Sequence, residues 1–249
     1  MRSIVGAAGS RREQPVGGVR LSARSSCKPP GASAAAAIAV AVLLCVLLYA
    51  VPAPAATLAI AVRLPDGQPL PDAVVTVQPV GKKSSPPAPV RAVMDQMNRM
   101  FMPEVLVVPV GSTVSFPNSD SVSHQIYSFS PAKRFQLPLY RGKPYPPLLF
   151  DHVGVVILGC NIHDWMIGSI DVTDAPFYGT TDAQGSWSAQ VPAGRYEITV
   201  WHPRMREPTQ TLVRDLSVDA GDRAALTLQL TKTLREAPME GRSPSWDAY

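Results

Sequence analysis

Cys160-Asn161-Ile162-His163-Asp164-Trp165-Met166 sets a thiol, an imidazole and a thioether three residues apart in one short stretch. The apolar run Gly154-Val155-Val156-Ile157-Leu158-Gly159 leads straight into it, and Met166-Ile167-Gly168-Ser169-Ile170-Asp171-Val172 leaves it. Short apolar runs bounded by turn residues read as strands. The three donors therefore stand on a loop held between two core strands, a rigid scaffold for a site.

Working upstream, Val105-Leu106-Val107-Val108 and Thr113-Val114-Ser115-Phe116 flank the turn Pro109-Val110-Gly111-Ser112. A second imidazole, His124, follows in Asp120-Ser121-Val122-Ser123-His124 and opens the strand-like run Gln125-Ile126-Tyr127-Ser128-Phe129. Two imidazoles and one thiolate in a trigonal set, with a weak axial thioether, are the donor set of a type 1 copper site. His124, Cys160, His163 and Met166 supply that set, and they predict one copper ion. Cys160 would bind as the thiolate, so metal binding would release a proton.

The rest of the chain reads as β structure. Pro and Gly are frequent and hydrophobic residues fall in short runs, which favours strands and turns over long helices. Leu58-Ala59-Ile60-Ala61-Val62 and Ala73-Val74-Val75-Thr76-Val77 read as two strands joined through Pro65-Asp66-Gly67. Residues 81–89 read as a linker, and the Pro-rich residues 131–148 as irregular. Beyond the turn Thr181-Asp182-Ala183-Gln184-Gly185, strands are expected at residues 187–191, 196–200 and 226–230, with Trp187, Tyr196 and Trp201 packing among them. Residues 233–249 are polar and read as a flexible tail.

The basic balance of 23 Lys/Arg against 19 Asp/Glu comes from the leader. Residues 1–56 hold six Lys/Arg and one Glu, leaving 17 against 18 in the rest. No basic patch there points to nucleic acid. Residues 34–50 are apolar apart from Tyr49, follow Arg20, Arg24 and Lys28, and precede Ala53-Pro54-Ala55. This is the pattern of a secretory signal cleaved near residue 55. Left uncleaved, the run is long enough to act as a membrane anchor. Cleavage removes Cys27 and Cys45 and leaves Cys160 without a disulfide partner. One cysteine in the loop also argues against a binuclear copper centre, which needs two.

Phe101-x-Pro103, then Val107-x-x-x-Gly111-x-x-Val114-x-Phe116-x-Asn118-x-Asp120-x-x-x-His124, resembles the first half of a cupredoxin, and Cys160-x-x-His163-x-x-Met166 resembles its ligand loop. The gap before Met166 is closer to amicyanin than to plastocyanin. Residues 92–173 as a block resemble bacterial exported cupredoxins labelled methylamine utilisation proteins. That resemblance implies a Greek-key β-sandwich with His124, Cys160 and His163 equatorial and Met166 axial. It also implies that His163 is the ligand nearest solvent, beside Asp164 and Trp165, and that the Asn161 N–H reaches the Cys160 sulfur. The flanks differ. Gly67-Gln68-Pro69-Leu70-Pro71-Asp72-Ala73-Val74-Val75, with Thr181-Asp182-x-x-Gly185 and Pro192-Ala193-Gly194-Arg195-Tyr196, resembles a carboxypeptidase regulatory-like (transthyretin-like) sandwich.

The expected organisation is all-β. A leader spans residues 1–55, the first sandwich strands and a linker 56–89, and a cupredoxin domain 90–173. The remaining sandwich spans 174–232 and the tail 233–249. The cupredoxin is inserted in, or followed by, the second small sandwich. The expected function is periplasmic transfer of single electrons between redox partners, without catalysis. The alternative is copper binding and delivery, which draws on Met94, Met97, Met100 and Met102, otherwise read as packing residues. His152 and His202 read as surface or packing residues rather than ligands.

Overall fold

The computed structural model describes residues 55–81, 84–142, 144–206 and 212–237. The expected leader with its apolar run, residues 82 and 83 of the linker, and residues 238–249 of the tail lie outside the described residues. The chain is all-β. Among the described residues no helix is long and apolar enough to cross a membrane.

In chain order the strands are β1 (Ala56–Arg63), β2 (Val74–Pro79), β3 (Arg91–Val93), β4 (Asp95–Met97), β5 (Met100–Met102) and β6 (Val105–Pro109). Next come β7 (Ser112–Ser115), β8 (His124–Ser128), β9 (Phe135–Tyr140), β10 (Leu148–Phe150), β11 (Gly154–Cys160) and β12 (His163–Thr173). The last are β13 (Phe177–Thr180), β14 (Ser186–Val191), β15 (Gly194–Trp201), β16 (Leu212–Val218) and β17 (Arg223–Gln229).

Two hydrophobic cores organise these strands. The first lies among sheets ordered β14-β1-β17 and β13-β2-β15-β16. Alternation drives it: Leu58, Ile60 and Val62 of β1 and Tyr196, Ile198 and Val200 of β15 are buried, while their neighbours along each strand are less so. β1 and β2, read from sequence as two strands joined by a turn, do not pair with each other. β1 pairs with β14 and, in parallel, with β17, whereas β2 pairs with β13 and β15. Both strands present apolar rows to one core, so the connection carries the chain from one sheet to the other.

The two distant sandwich motifs meet at that connection. Thr181 Oγ1 donates to the Leu70 carbonyl (2.7 Å) and accepts from the Ala73 N–H (2.9 Å). Gly185, at φ +64°, lies so close that a Cβ would stand 2.6 Å from the Val62 carbonyl oxygen. Only glycine suits that conformation and that contact. Residues 233–235, expected to begin a flexible tail, are instead tied back: the Arg235 N–H donates to Arg204 O (2.8 Å), and Arg204 Nε donates to Arg235 O (2.8 Å).

The second core lies among sheets ordered β6-β12-β11-β8-β9 and β10-β7-β3, with the β4–β5 hairpin beside them. Phe101, Phe116, Ile126, Phe150, Leu158, Met166 and Ile170 fill it. Residues 135–140, read as irregular because of their proline content, form β9. It is the edge strand, where Pro138 has no second neighbour to disappoint. The other elements missing from the sequence reading are β13, β16, β10 and the three-residue strands β3 to β5.

Candidate metal centre

Three elements deliver the donor atoms. His124 opens β8, Cys160 closes β11 and His163 opens β12. Cys160 and His163 pair across a two-residue turn, and the ladder shifts register between Gly159 and Cys160. His124 Nδ1 and His163 Nδ1 stand 3.1 Å apart. Cys160 Sγ lies 3.8 Å from the first and 3.7 Å from the second. A point equidistant from these three atoms is about 2.1 Å from each, which is a metal–nitrogen bond length and slightly short of a metal–sulfur one. The group is therefore sized to hold a metal ion.

Its chemistry agrees with its size. Asp120 Oδ2 lies 2.7 Å from His124 Nε2. A carboxylate only accepts, so Nε2 carries the proton and Nδ1 turns a lone pair toward the other two donors. The same carboxylate accepts the backbone N–H of Asn98 (2.7 Å) and of Arg99 (2.8 Å). Burial pushes the Asp120 carboxyl up, but those N–H groups and the His124 ring outweigh it and hold it below the ordinary carboxylate range. Asn118 braces the approach to His124: its Nδ2 donates to Val122 O (3.0 Å) and Tyr140 O (2.9 Å), and its Oδ1 accepts the Asp120 N–H (3.0 Å).

Access is one-sided. His124 is 0% and Cys160 3% exposed, while His163 is half-buried and so is the open member of the group. The Trp165 ring lies 5.3 Å from the His163 ring, and Asp164 is exposed. Met166 is fully buried in the core that also holds Cys160. The N–H of Asn161 makes no bond to the sulfur; the hydrogen-bonding contacts of Cys160 Sγ among the described residues are the two Nδ1 atoms.

The other histidines stand apart from this group. His152 is exposed beside Asp151. His202 is buried and accepts the Arg204 N–H at Nδ1 (3.1 Å). Sequence reasoning missed the roles of Asp120 and of the turn at residues 98 and 99. A carboxylate four residues before His124 was the available signal, but only the fold shows what it touches.

Comparison with protein-family models and with curated proteins finds no match. Several solved structures are similar to part of this chain. The purple cupredoxin from Nitrosopumilus maritimus is 28% identical over 33% of this chain and 99% of its own, with a TM-score of 0.30. The copper-containing nitrite reductase from Thermus scotoductus is 31% identical over 39% of this chain and 25% of its own, with a TM-score of 0.31. An amicyanin in its reduced Cu(I) form is 22% identical over 40% of this chain and 98% of its own, at a TM-score of 0.31. These similar structures are cupredoxins and one copper enzyme, matched over a minority of this chain.

Proposed function

We propose that the protein is an exported electron carrier with one type 1 copper ion bound by His124, Cys160, His163 and Met166. The observation that carries this reading is the convergence of two Nδ1 atoms and one thiol sulfur at metal-bonding separation. Copper bound there supplies a one-electron couple between Cu(I) and Cu(II). Thiolate and thioether favour the reduced ion, and imidazole serves both. The buried thioether of Met166, in the same core as Cys160, favours copper over zinc, whose sites use Cys, His and carboxylate ligands.

The protein's own residues divide the work. Asp120 fixes the tautomer and angle of His124. β11 and β12 hold Cys160 and His163 at the ends of one tight turn. Burial of His124, Cys160 and Met166 keeps water from the donors, which limits rearrangement between oxidation states. His163, the half-buried member, offers the path to a partner, with Asp164 and Trp165 on the rim. The partners are periplasmic redox proteins, and the leader delivers the chain to that compartment or anchors it at the membrane. The resemblance to methylamine utilisation cupredoxins carries no substrate with it. The reading is one of electron carriage rather than catalysis at this centre.

Copper loading tests this directly. The loaded protein is expected to show an intense sulfur-to-copper charge-transfer band in the visible and a narrow copper hyperfine splitting in its EPR spectrum, both lost in Cys160→Ser. A colourless copper complex with an ordinary tetragonal EPR spectrum would refute the type 1 assignment.

A further inference from the structure

The methionines ahead of the metal centre do not share one role. Met94 is fully buried in the second core, as packing requires. The other three lie on the β4–β5 hairpin. There Met97 pairs with Met100, Gln96 with Phe101, and Asp95 with Met102. Alternate residues of a strand share a face, and directly paired residues share it too. Gln96 and Phe101 take the inward face and are both 0% exposed. Met97, Met100 and Met102 therefore stand together on the outward face, with Met97 41% and Met102 50% exposed and Met100 half-buried.

Packing does not account for this face. A single exposed apolar side chain is ordinary, but three thioethers on an eight-residue hairpin form a cluster. Cross-strand neighbours have Cβ atoms about 5 Å apart, within reach of one shared ion for side chains as long and flexible as methionine. The hairpin is also a firm base. The N–H groups of its turn, at Asn98 and Arg99, bind Asp120. Asp95 lies on the same face, but its oxygens are engaged by Ser119 and by the Gln96 N–H, so it contributes charge rather than a ligand.

We infer that Met97, Met100 and Met102 form a second metal site, a surface thioether site for Cu(I), separate from the His124, Cys160 and His163 centre. Soft neutral thioethers select Cu(I) over Cu(II) and over hard cations. They carry no proton at neutral pH, so this site binds without proton release, unlike a thiolate site. The inference does not depend on the type 1 reading, because it uses none of that centre's donors.

The test uses the full chain carrying Cys160→Ser and His163→Ala, which dismantles the other centre, with carbon-13 in the methionine methyl groups, titrated anaerobically with Cu(I) against a chromogenic chelator. The methyl signals of Met97, Met100 and Met102 are expected to move together as one equivalent is bound. Replacing all three by Leu is expected to weaken binding by about tenfold or more. The affinity of the parent hairpin site is expected to change less than about twofold between roughly pH 5.5 and 7.5. All three positions are at least partly exposed, so the Leu variant keeps the fold; Met102→Leu alone, at the most exposed of them, checks the trend. Movement of Met166 without the hairpin signals, or equal Cu(I) affinity in the triple Leu variant, would overturn the inference.

Discussion

Asp120 receives three donors at one carboxylate: the His124 ring and the N–H groups of Asn98 and Arg99. It is a positioning residue, acting on the metal only through the imidazole. Asp120→Ala is expected to release His124 and weaken copper binding by about 10- to 100-fold, the usual effect of losing a carboxylate behind a metal-bound histidine. Competition against a chelator measures it. Asp120→Asn keeps an acceptor but removes a negative charge near the ion, so the reduction potential should rise while the charge-transfer band persists. An unchanged potential in a redox titration would mean that the charge is screened from the centre. The sequence displayed His124, Cys160, His163 and Met166 because donor type and spacing are written in the chain. It also displayed Asp120, but not its role, because the bond depends on how residues 120–124 bend and on a turn of a separate hairpin.

At the scale of elements, the β4–β5 hairpin connects the surface to the metal strand. Phe101 of β5 packs over Gly168 of β12, where an added Cβ would stand 2.9 Å from the Phe101 side chain. Phe101 is fully buried, so it has no free direction to retreat. Gly168→Ala is expected to destabilise the protein by about 1–3 kcal/mol, the range for overpacking a filled core. Denaturant titration measures the loss, and Gly168→Ala should cost less in a Phe101→Ala background, which lacks the Cγ and Cδ2 atoms that the new Cβ meets. If Gly168→Ala costs the same in both backgrounds, the clash is not the cause. This hairpin was illegible in the sequence for physical reasons. Its strands are three residues each, too short for a period to register. Its turn uses Asn98 and Arg99 at φ 54° and 56° without the glycine that announces such turns. β9 was missed for the opposite reason: Pro138 argues against a strand unless that strand is known to be an edge. By contrast β11 and β12 were legible because long apolar runs need no context.

Across the whole molecule, two buried titratable groups set opposing pH responses. Burial, aided by the Arg204 charge, lowers His202 from 6.5 to about 4. Between those values the unfolded chain binds more protons than the folded one, so His202 lowers stability as pH falls from 6.5, and its effect levels off near 4. The full effect is about 3 kcal/mol, because a tenfold change in proton affinity corresponds to about 1.4 kcal/mol. Asp171 keeps some exposed surface, yet burial raises its carboxyl from 3.8 to about 6. Here the folded chain binds more protons, so the stabilising contribution is present below pH 3.8 and lost as pH rises through 6. The two groups oppose each other over nearly the same window, and the parent protein masks both. In copper-free protein, Asp171→Asn should therefore lose more stability than the parent between about pH 6.5 and 4, and His202→Gln should lose less. Urea titrations across that range read the differences directly. Parent and variant curves running parallel at every pH would show that neither group is titrating where its burial places it.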